Sequence, residues 1–229
     1  MSTAGTANAP PVYRAARAVG VLKPKLQMNA QGQVFADALE VLGTAFWLKE
    51  YKVLITCAHV VQHLVATPIE TAGLLVVGNL GTYLRATVDI VDFNHDLAVL
   101  RLPGDTSPDV LAKELQDGLD VATAYPPVGT TVGYAGFPFG TQLLSSTHAP
   151  TYSQGVVASP ARVQPLLKQL QITGTVAGGF SGAPIVDTAS PSQVIAVLSN
   201  SPSAAAGQAS IFMGISWEHV KALAGLATS

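Results

Sequence analysis

The chain has 229 residues, 48% of them hydrophobic and only 11% charged, which supplies a sizeable core and excludes a charge-solvated, disordered chain. Twelve Lys and Arg against fourteen Asp and Glu leave a net charge of −2, and no basic run or stripe is present, so a nucleic-acid partner is not expected. Cys57 is the single cysteine, which rules out an intrachain disulfide and points to a reducing, cytoplasmic setting.

The N-terminus, "MSTAGTANAPPVYRAARAVG", lacks the continuous apolar segment of a secretory signal, and residues 1–17 read as a flexible tail. From residue 18 onward, short β-rich runs recur between turn residues. They are "AVGVL" (18–22), "TAFWL" (44–48), "KVLIT" (52–56), "GLLVV" (73–77), "RATVDIV" (85–91) and "DLAVLRL" (96–102). A segment with Pro and Gly turn signals at both ends, 103–129, holds a helical turn near 109–116 and reads as a crossover. Beyond it lie "TVGYAGF" (131–137), "QGVVAS" (154–159), "QITGTV" (171–176), "APIVD" (183–187), "QVIAVLS" (193–199) and "IFMGIS" (211–216). This is the spacing of closed or packed antiparallel sheets, in two six-strand halves of a single domain. The end, "SWEHVKALAGLA" (216–227), carries a Ser cap at Ser216 and apolar residues near helical spacing, so a terminal helix is expected. No apolar run approaches the roughly 18 residues that span a bilayer, and no membrane association is expected.

Three segments set a polar residue beside a predicted strand: "LITCAHVV" around His59, "NHDLAVLRL" around Asp96 and "GGFSGAPIV" around Ser181. A serine hydroxyl is a poor nucleophile at neutral pH. Acyl transfer therefore needs a base in hydrogen-bond reach, a carboxylate that fixes the tautomer of that base, and donors for the oxyanion. His59, Asp96 and Ser181 supply those types, and Gly178, Gly179 and Gly182 suit a turn that must expose its backbone N–H groups.

These motifs resemble those of the chymotrypsin-like (trypsin-fold) serine proteases, closest to the disulfide-free bacterial HtrA-type branch. "TCAHVV" is similar to the family's T-A-A-H-C or T-N-x-H-V, "HDLAVLRL" to its x-D-[IL]-A-[LV]-L-[RK]-L, and "GGFSGAPIV" to its G-[DN]-S-G-G-P-[LI]-[VL]. "GFPFG" (136–140) and "SQGVVAS" (153–159) also look like HtrA-type segments. The likeness runs from about residue 19 to the terminal helix, in the family's order of His, Asp, Ser.

The resemblance implies an all-β fold of two six-stranded antiparallel barrels, at 18–102 and 130–215, joined by the 103–129 crossover and closed by a helix at 216–227. It implies a serine endopeptidase acting on protein or peptide substrates, with His59 as general base and acid, Asp96 as its orienting carboxylate and Ser181 as nucleophile. The N–H groups of Gly179 and Ser181 would form the oxyanion hole. The substrate pocket would be walled by Thr175 and Val176, by Ser199, Asn200 and Ser201, and by Ser210, which favours a small or medium uncharged side chain.

Other readings are weaker. His59 and His63 stand i, i+4 apart, but the glutamate of a metalloprotease helix is missing and no third ligand is evident, so neither metal nor other cofactor is expected. "GFSGA" nearly matches the G-x-S-x-G elbow, but that fold needs alternating helices and a histidine after the serine, and only His219 in the terminal helix follows. Cys57 reads as a small buried hydrophobe. Asp89 and Asp92 lie close to Asp96, but only Asp96 begins the apolar run.

Phe180 departs from the zymogen-activated branch, whose residue before the nucleophile is an Asp that pairs with a newly cut N-terminus. Phe180 cannot make that pair, so no such activation is expected, and an apolar pocket behind the oxyanion loop must hold the ring instead. Activity could then be constitutive or need a regulatory partner. A catalytically silent trypsin-fold binding module is the alternative.

Overall fold

The structure, a computed structural model, describes residues 8–23, 27–28, 34–35, 38–66, 74–77, 83–138, 149–164, 167–200 and 211–228. In its first half lie β1 (Ala16–Lys23), β2 (Gln27–Met28), β3 (Val34–Phe35), β4 (Ala38–Leu48), β5 (Val53–Thr56), β6 (Leu74–Val77), β7 (Tyr83–Arg85), β8 (Thr87–Asp92) and β9 (Leu97–Arg101). The sheet order is β7-β6-β1-β4-β5-β9-β8, with β2 and β3 forming a separate ribbon. Only Ala86 separates β7 from β8, and its N–H donates to the Leu74 carbonyl at 2.9 Å. Residues 83–92 thus run as one strand, paired with β6 at one end and β9 at the other, and the sheet closes as a six-strand barrel.

The second half contains β10 (Asp120–Val121), β11 (Thr131–Gly136), β12 (Thr151–Gln164), β13 (Leu167–Gly174), β14 (Pro184–Asp187), β15 (Gln193–Asn200) and β16 (Ile211–Ser216). A β15–β16 pairing closes β15-β14-β11-β12-β13-β16, and β10 adds in parallel on β15. The all-β, two-barrel expectation holds.

Two strands run well past their expected ends. β12 continues to Gln164 through Pro160, because the pairing with β13 slips between Val157 and Ser159 and again between Ser159 and Arg162. A proline lacks a ladder N–H and is tolerated where such an irregularity leaves it unpaired. β4 likewise runs through Gly43, opposite a slip between Val19 and Gly20.

The N-terminal segment is a correction. Residues expected in a flexible tail form a short helix, α1 (Pro11–Ala15), followed directly by β1 from Ala16, and Val12 and Ala15 are fully buried. α1 packs on β11 and β14 of the second barrel, while β1 belongs to the first. Arg17 is buried and makes an ion pair of 2.6 Å with Glu114, whose carboxylate also accepts from Trp47 Nε1 at 3.4 Å. Glu114 belongs to α3 (Pro108–Gln116), the helix expected in the crossover, so this buried pair ties the crossover to the first barrel.

The C-terminal helix α4 (Trp217–Leu226) begins where the sequence places it, with Ser216 Oγ accepting from the Glu218 N–H at 3.2 Å and paired with the Tyr125 hydroxyl at 2.6 Å. Val220, Leu223 and Ala224 are buried, and the helix packs on β15 and β16 as well as on β5 and β9, bridging both barrels.

On α4, the His219 ring stacks on His95 at 4.1 Å and its Nε2 accepts from the Lys168 N–H at 2.9 Å. Burial first, then the neighbouring His95, pushes His219 below its ordinary value, against opposing pulls from Glu218 and Asp92 and alongside a small push from Lys168. The folded state therefore takes up this proton less readily than the unfolded chain, and the stability it contributes above the ordinary histidine range is lost as pH falls through that range. Thermal unfolding should show a drop in Tm between about pH 7.5 and 5.5. His219→Gln keeps an acceptor for Lys168 N–H and should show a smaller drop.

Candidate active site

His59 is set by β5 and the helix that follows it, α2 (Ala58–Ala66). Its backbone N–H donates to Asp96 Oδ1 at 3.0 Å, and its Nδ1 lies 2.9 Å from both Asp96 oxygens. Asp96 ends the β8–β9 turn at φ +53°, in the left-handed region that Asp enters more readily than most residues. Asp92 builds the turn, with Oδ1 accepting from the N–H groups of Asn94 at 3.0 Å and His95 at 3.1 Å. Asp89 is outside, paired with Arg101 at 2.6 Å. Of the three candidate carboxylates, Asp96 is the one bonded to His59.

Ser199 Oγ donates to Asp96 Oδ2 at 2.5 Å. Burial alone would raise the Asp96 pKa, but donation from His59 and Ser199 outweighs it and holds the carboxyl below its ordinary value. It stays ionised at neutral pH.

Ser181 sits in the turn between β13 and β14, and its carbonyl accepts from the Thr44 N–H at 2.8 Å. The Phe180 N–H closes onto the Ala177 carbonyl at 3.2 Å, with Gly179 at φ +100°. That sign at the third residue is the type II pattern, which a Cβ would disfavour. Gly182, at φ +87°, donates to the Leu198 carbonyl at 2.8 Å and anchors the turn to β15.

The Phe180 ring occupies the apolar pocket that the sequence demands. It is 3% exposed and meets Tyr134 edge-on at 5.7 Å, and Tyr134 in turn meets Phe212 at 5.1 Å. Burial pushes the Tyr134 hydroxyl up to about 12, so it remains a donor, and it bonds the Thr175 carbonyl at 2.8 Å. Phe180→Ala should cost about 3–5 kcal/mol of stability, measured by urea unfolding, because it empties this pocket.

His59, Gln62, Phe93 and Asp96 of the first half and Gln169, Val176, Ala177, Gly178, Ser181, Leu198 and Ser199 of the second line one cleft of about 840 Å³. Of the residues expected at the pocket, Val176 and Ser199 line it, though Ser199 spends its hydroxyl on Asp96. Thr175 offers its carbonyl to Tyr134, and Asn200 ends β15 opposite Met213. Ser201 and Ser210 lie outside the described residues. Phe93, 61% exposed, and Gln62 were not foreseen, since a lone exposed aromatic in a turn carries no sequence signal.

Among the described residues, one group could offer a metal three ligands: Cys57, His59 and Asp96, with ligand atoms within 4.8 Å of one another. All three are already engaged. The Cys57 thiol donates to the Leu198 carbonyl at 3.3 Å, and burial, then the Asp96 charge, pushes its pKa well up, which keeps it protonated. No described helix is long and apolar enough to cross a membrane.

Comparison with curated proteins finds no match. Among solved structures, the chain is similar to the Rv3671c protease from M. tuberculosis in its active form, with a TM-score of 0.62 at 20% identity over 95% of this chain and 81% of that one. At that identity the likeness speaks for the fold. The sequence itself matches the trypsin-like peptidase domain over residues 43–197, from β4 through most of β15 and across all three candidate triad positions. The chain belongs to the trypsin-like peptidase family.

Proposed function

We propose that the protein is a serine endopeptidase that hydrolyses peptide bonds through an acyl-enzyme. The observation that carries this reading is the His59–Asp96 pair, bonded through Nδ1 at 2.9 Å and lining one cleft together with Ser181. A carboxylate on Nδ1 holds the proton there and leaves Nε2 as the base.

In the proposed reaction, Nε2 takes the Ser181 proton as Oγ bonds to the substrate carbonyl carbon. The resulting oxyanion is received by the N–H groups of Gly179 and Ser181. Collapse breaks the C–N bond, and the imidazolium returns its proton to the leaving amine. Water then attacks the acyl-enzyme with His59 again as base, releasing the acid and restoring Ser181.

His59 and Asp96 are the charged or titratable groups among the described cleft residues, and both serve the triad. The substrate side chain accepted there is therefore uncharged, and Val176 and Leu198 favour one of small or medium size. Phe180 supports activity without zymogen-type cleavage: its ring is already buried and Gly179 already holds a positive φ, with no ion pair to a new N-terminus needed. A fluorophosphonate probe should add to the purified protein at a single site, and peptide mass mapping should place it on Ser181. Labelling elsewhere, or none, would sink the reading and favour a silent binding module. We assign the enzyme to the cytoplasm on the strength of its lone, buried, protonated cysteine.

A further inference from the structure

Tyr134 stands on β11, fully buried, and its ring is fixed by two edge-on neighbours, Phe180 at 5.7 Å and Phe212 at 5.1 Å. The hydroxyl therefore has one place to reach, the chain just beyond the end of β13. It donates to the Thr175 carbonyl at 2.8 Å and comes to 3.5 Å of the Gln154 carbonyl. A hydroxyl has a single proton, so the shorter bond to Thr175 is the one made. Gly174 makes room for it, since a Cβ at that residue would lie 2.6 Å from the Tyr134 oxygen.

The bonded carbonyl sits where the sheet stops and the cleft wall begins. β13 pairs with β12 as far as Gly174, opposite Gly155, and with β16 as far as Thr173, opposite Ile211. Thr175 is the first residue past both ladders and is exposed. Val176 after it lines the cleft and packs against the cluster that contains Tyr134, Phe180 and Phe212. The oxygen that Tyr134 bonds belongs to the Thr175–Val176 peptide, whose nitrogen is that of Val176. Because the peptide is planar, fixing this oxygen fixes the plane from which Val176 is set off. Without the hydroxyl the carbonyl would lie unpaired against an apolar ring edge, and at an exposed residue it can turn to water instead. Such a turn carries the Val176 backbone with it.

We propose that Tyr134 is a positioning residue for the substrate pocket: its hydroxyl, through the Thr175 carbonyl, holds Val176 at the cleft wall and so sets the size of side chain accepted. Tyr134 is buried behind the wall and is not among the residues that line the cleft, so it acts through Val176. The proposal rests on the serine-protease reading for its kinetic consequence, whereas the place of Val176 can be read without catalysis.

The experiment compares wild type with Tyr134→Phe, which keeps the ring and removes the hydroxyl, and with Gly174→Ala, which keeps the hydroxyl and pushes it aside. Each protein is melted, crystallised and treated with a fluorophosphonate. Each is also assayed on two peptides that differ by one methylene in the side chain offered to the cleft, alanine in one and 2-aminobutyrate in the other. One methylene in a hydrophobic pocket separates substrates by about 10–200-fold. Both variants should change the kcat/KM ratio of the two peptides by at least about threefold, mainly through KM, with probe uptake within about twofold of wild type. Crystals of both should show the Thr175 carbonyl turned from Tyr134 and Val176 displaced.

A Tyr134→Phe protein with a lower Tm but the wild-type ratio would overturn the proposal and leave the hydroxyl as a core contact. An equal fall in kcat/KM for both peptides does the same, because the loss would then lie in the Ser181 turn and not in the pocket wall. A changed ratio with Val176 unmoved also counts against it. If Gly174→Ala does not fold, Tyr134→Phe decides alone. If the wild type neither cleaves peptides nor takes up the fluorophosphonate, the protease reading fails, and Val176 in crystals of Tyr134→Phe still decides: displacement supports the role of Tyr134, and an unchanged wall overturns it.

Discussion

Ser181→Ala and His59→Ala should each lower kcat by about 10⁶-fold, and the double variant should be no worse than either alone, because the proposed nucleophile and base would act as one unit. Asp96→Asn should cost about 10⁴-fold. The difference follows from what each group does. In the proposed mechanism, no acyl-enzyme can form without Ser181, and no group takes the serine proton without His59, through which Asp96 would act. Asp96 accepts from three donors, the His59 N–H, His59 Nδ1–H and Ser199 Oγ, at 3.0, 2.9 and 2.5 Å. A carboxylate can accept from all three, whereas an asparagine has one accepting oxygen and an NH₂ that must point at a donor. If it points at His59, Nδ1 becomes the acceptor and the proton moves to Nε2, where the ring can no longer accept the serine proton. Steady-state kinetics of the three variants and the double variant check this. An Asp96→Asn enzyme within about tenfold of wild type would mean that Asp96 does not set the tautomer.

Gly182→Ala should destabilise the fold by about 2–5 kcal/mol, a large part of the 5–15 kcal/mol that holds a domain together. Gly182 has φ +87°, and a Cβ there would lie 2.0 Å from the Thr44 carbonyl oxygen and 2.5 Å from Thr56 Oγ1. The left-handed conformation alone costs a residue with a Cβ about 1–2 kcal/mol. The closer overlap is with backbone of the other barrel, which cannot move aside as a flexible side chain could, so overpacking adds about a further 1–3 kcal/mol. Gly178→Ala is the control. A Cβ at Gly178 would meet no heavy atom within 4 Å, and its stability should stay within about 0.5 kcal/mol of wild type. Urea unfolding of the two variants should separate them clearly. Equal midpoints would show that the Ser181 turn is not clamped by β4.

The contrast between Gly182 and Gly178 marks a limit of sequence reading. Both are glycines beside the same serine, and "GGFSGAP" gives each the same flexibility. Only the approach of Thr44 from a strand almost 140 residues earlier makes one indispensable and the other free.

Other features divide the same way. The order His59, Asp96, Ser181, each beside an apolar run, was legible because strand periodicity and turn residues are short-range properties of the chain. The Ser216 cap and the terminal helix were legible for the same reason. The need for an apolar pocket behind Phe180 also followed from its side chain alone, but Tyr134 and Phe212 as its walls did not.

Where the sequence misled, an interaction between distant segments had outweighed local preference. Residues 11–17 look like a continuing tail by composition, yet Val12, Ala15 and Arg17 are buried because the second barrel and α3 lie over them. Ser199 reads as a pocket serine, but the neighbouring Asp96, brought over from the other barrel, takes its hydroxyl. By itself the sequence determined the strands, the turn chemistry and which residue types could perform acyl transfer, since those depend on neighbours along the chain. Tertiary structure decided which carboxylate meets His59 and how the serine turn is anchored between β4 and β15, because these depend on atoms that only the closing of the first barrel and its packing on the second bring within hydrogen-bond reach.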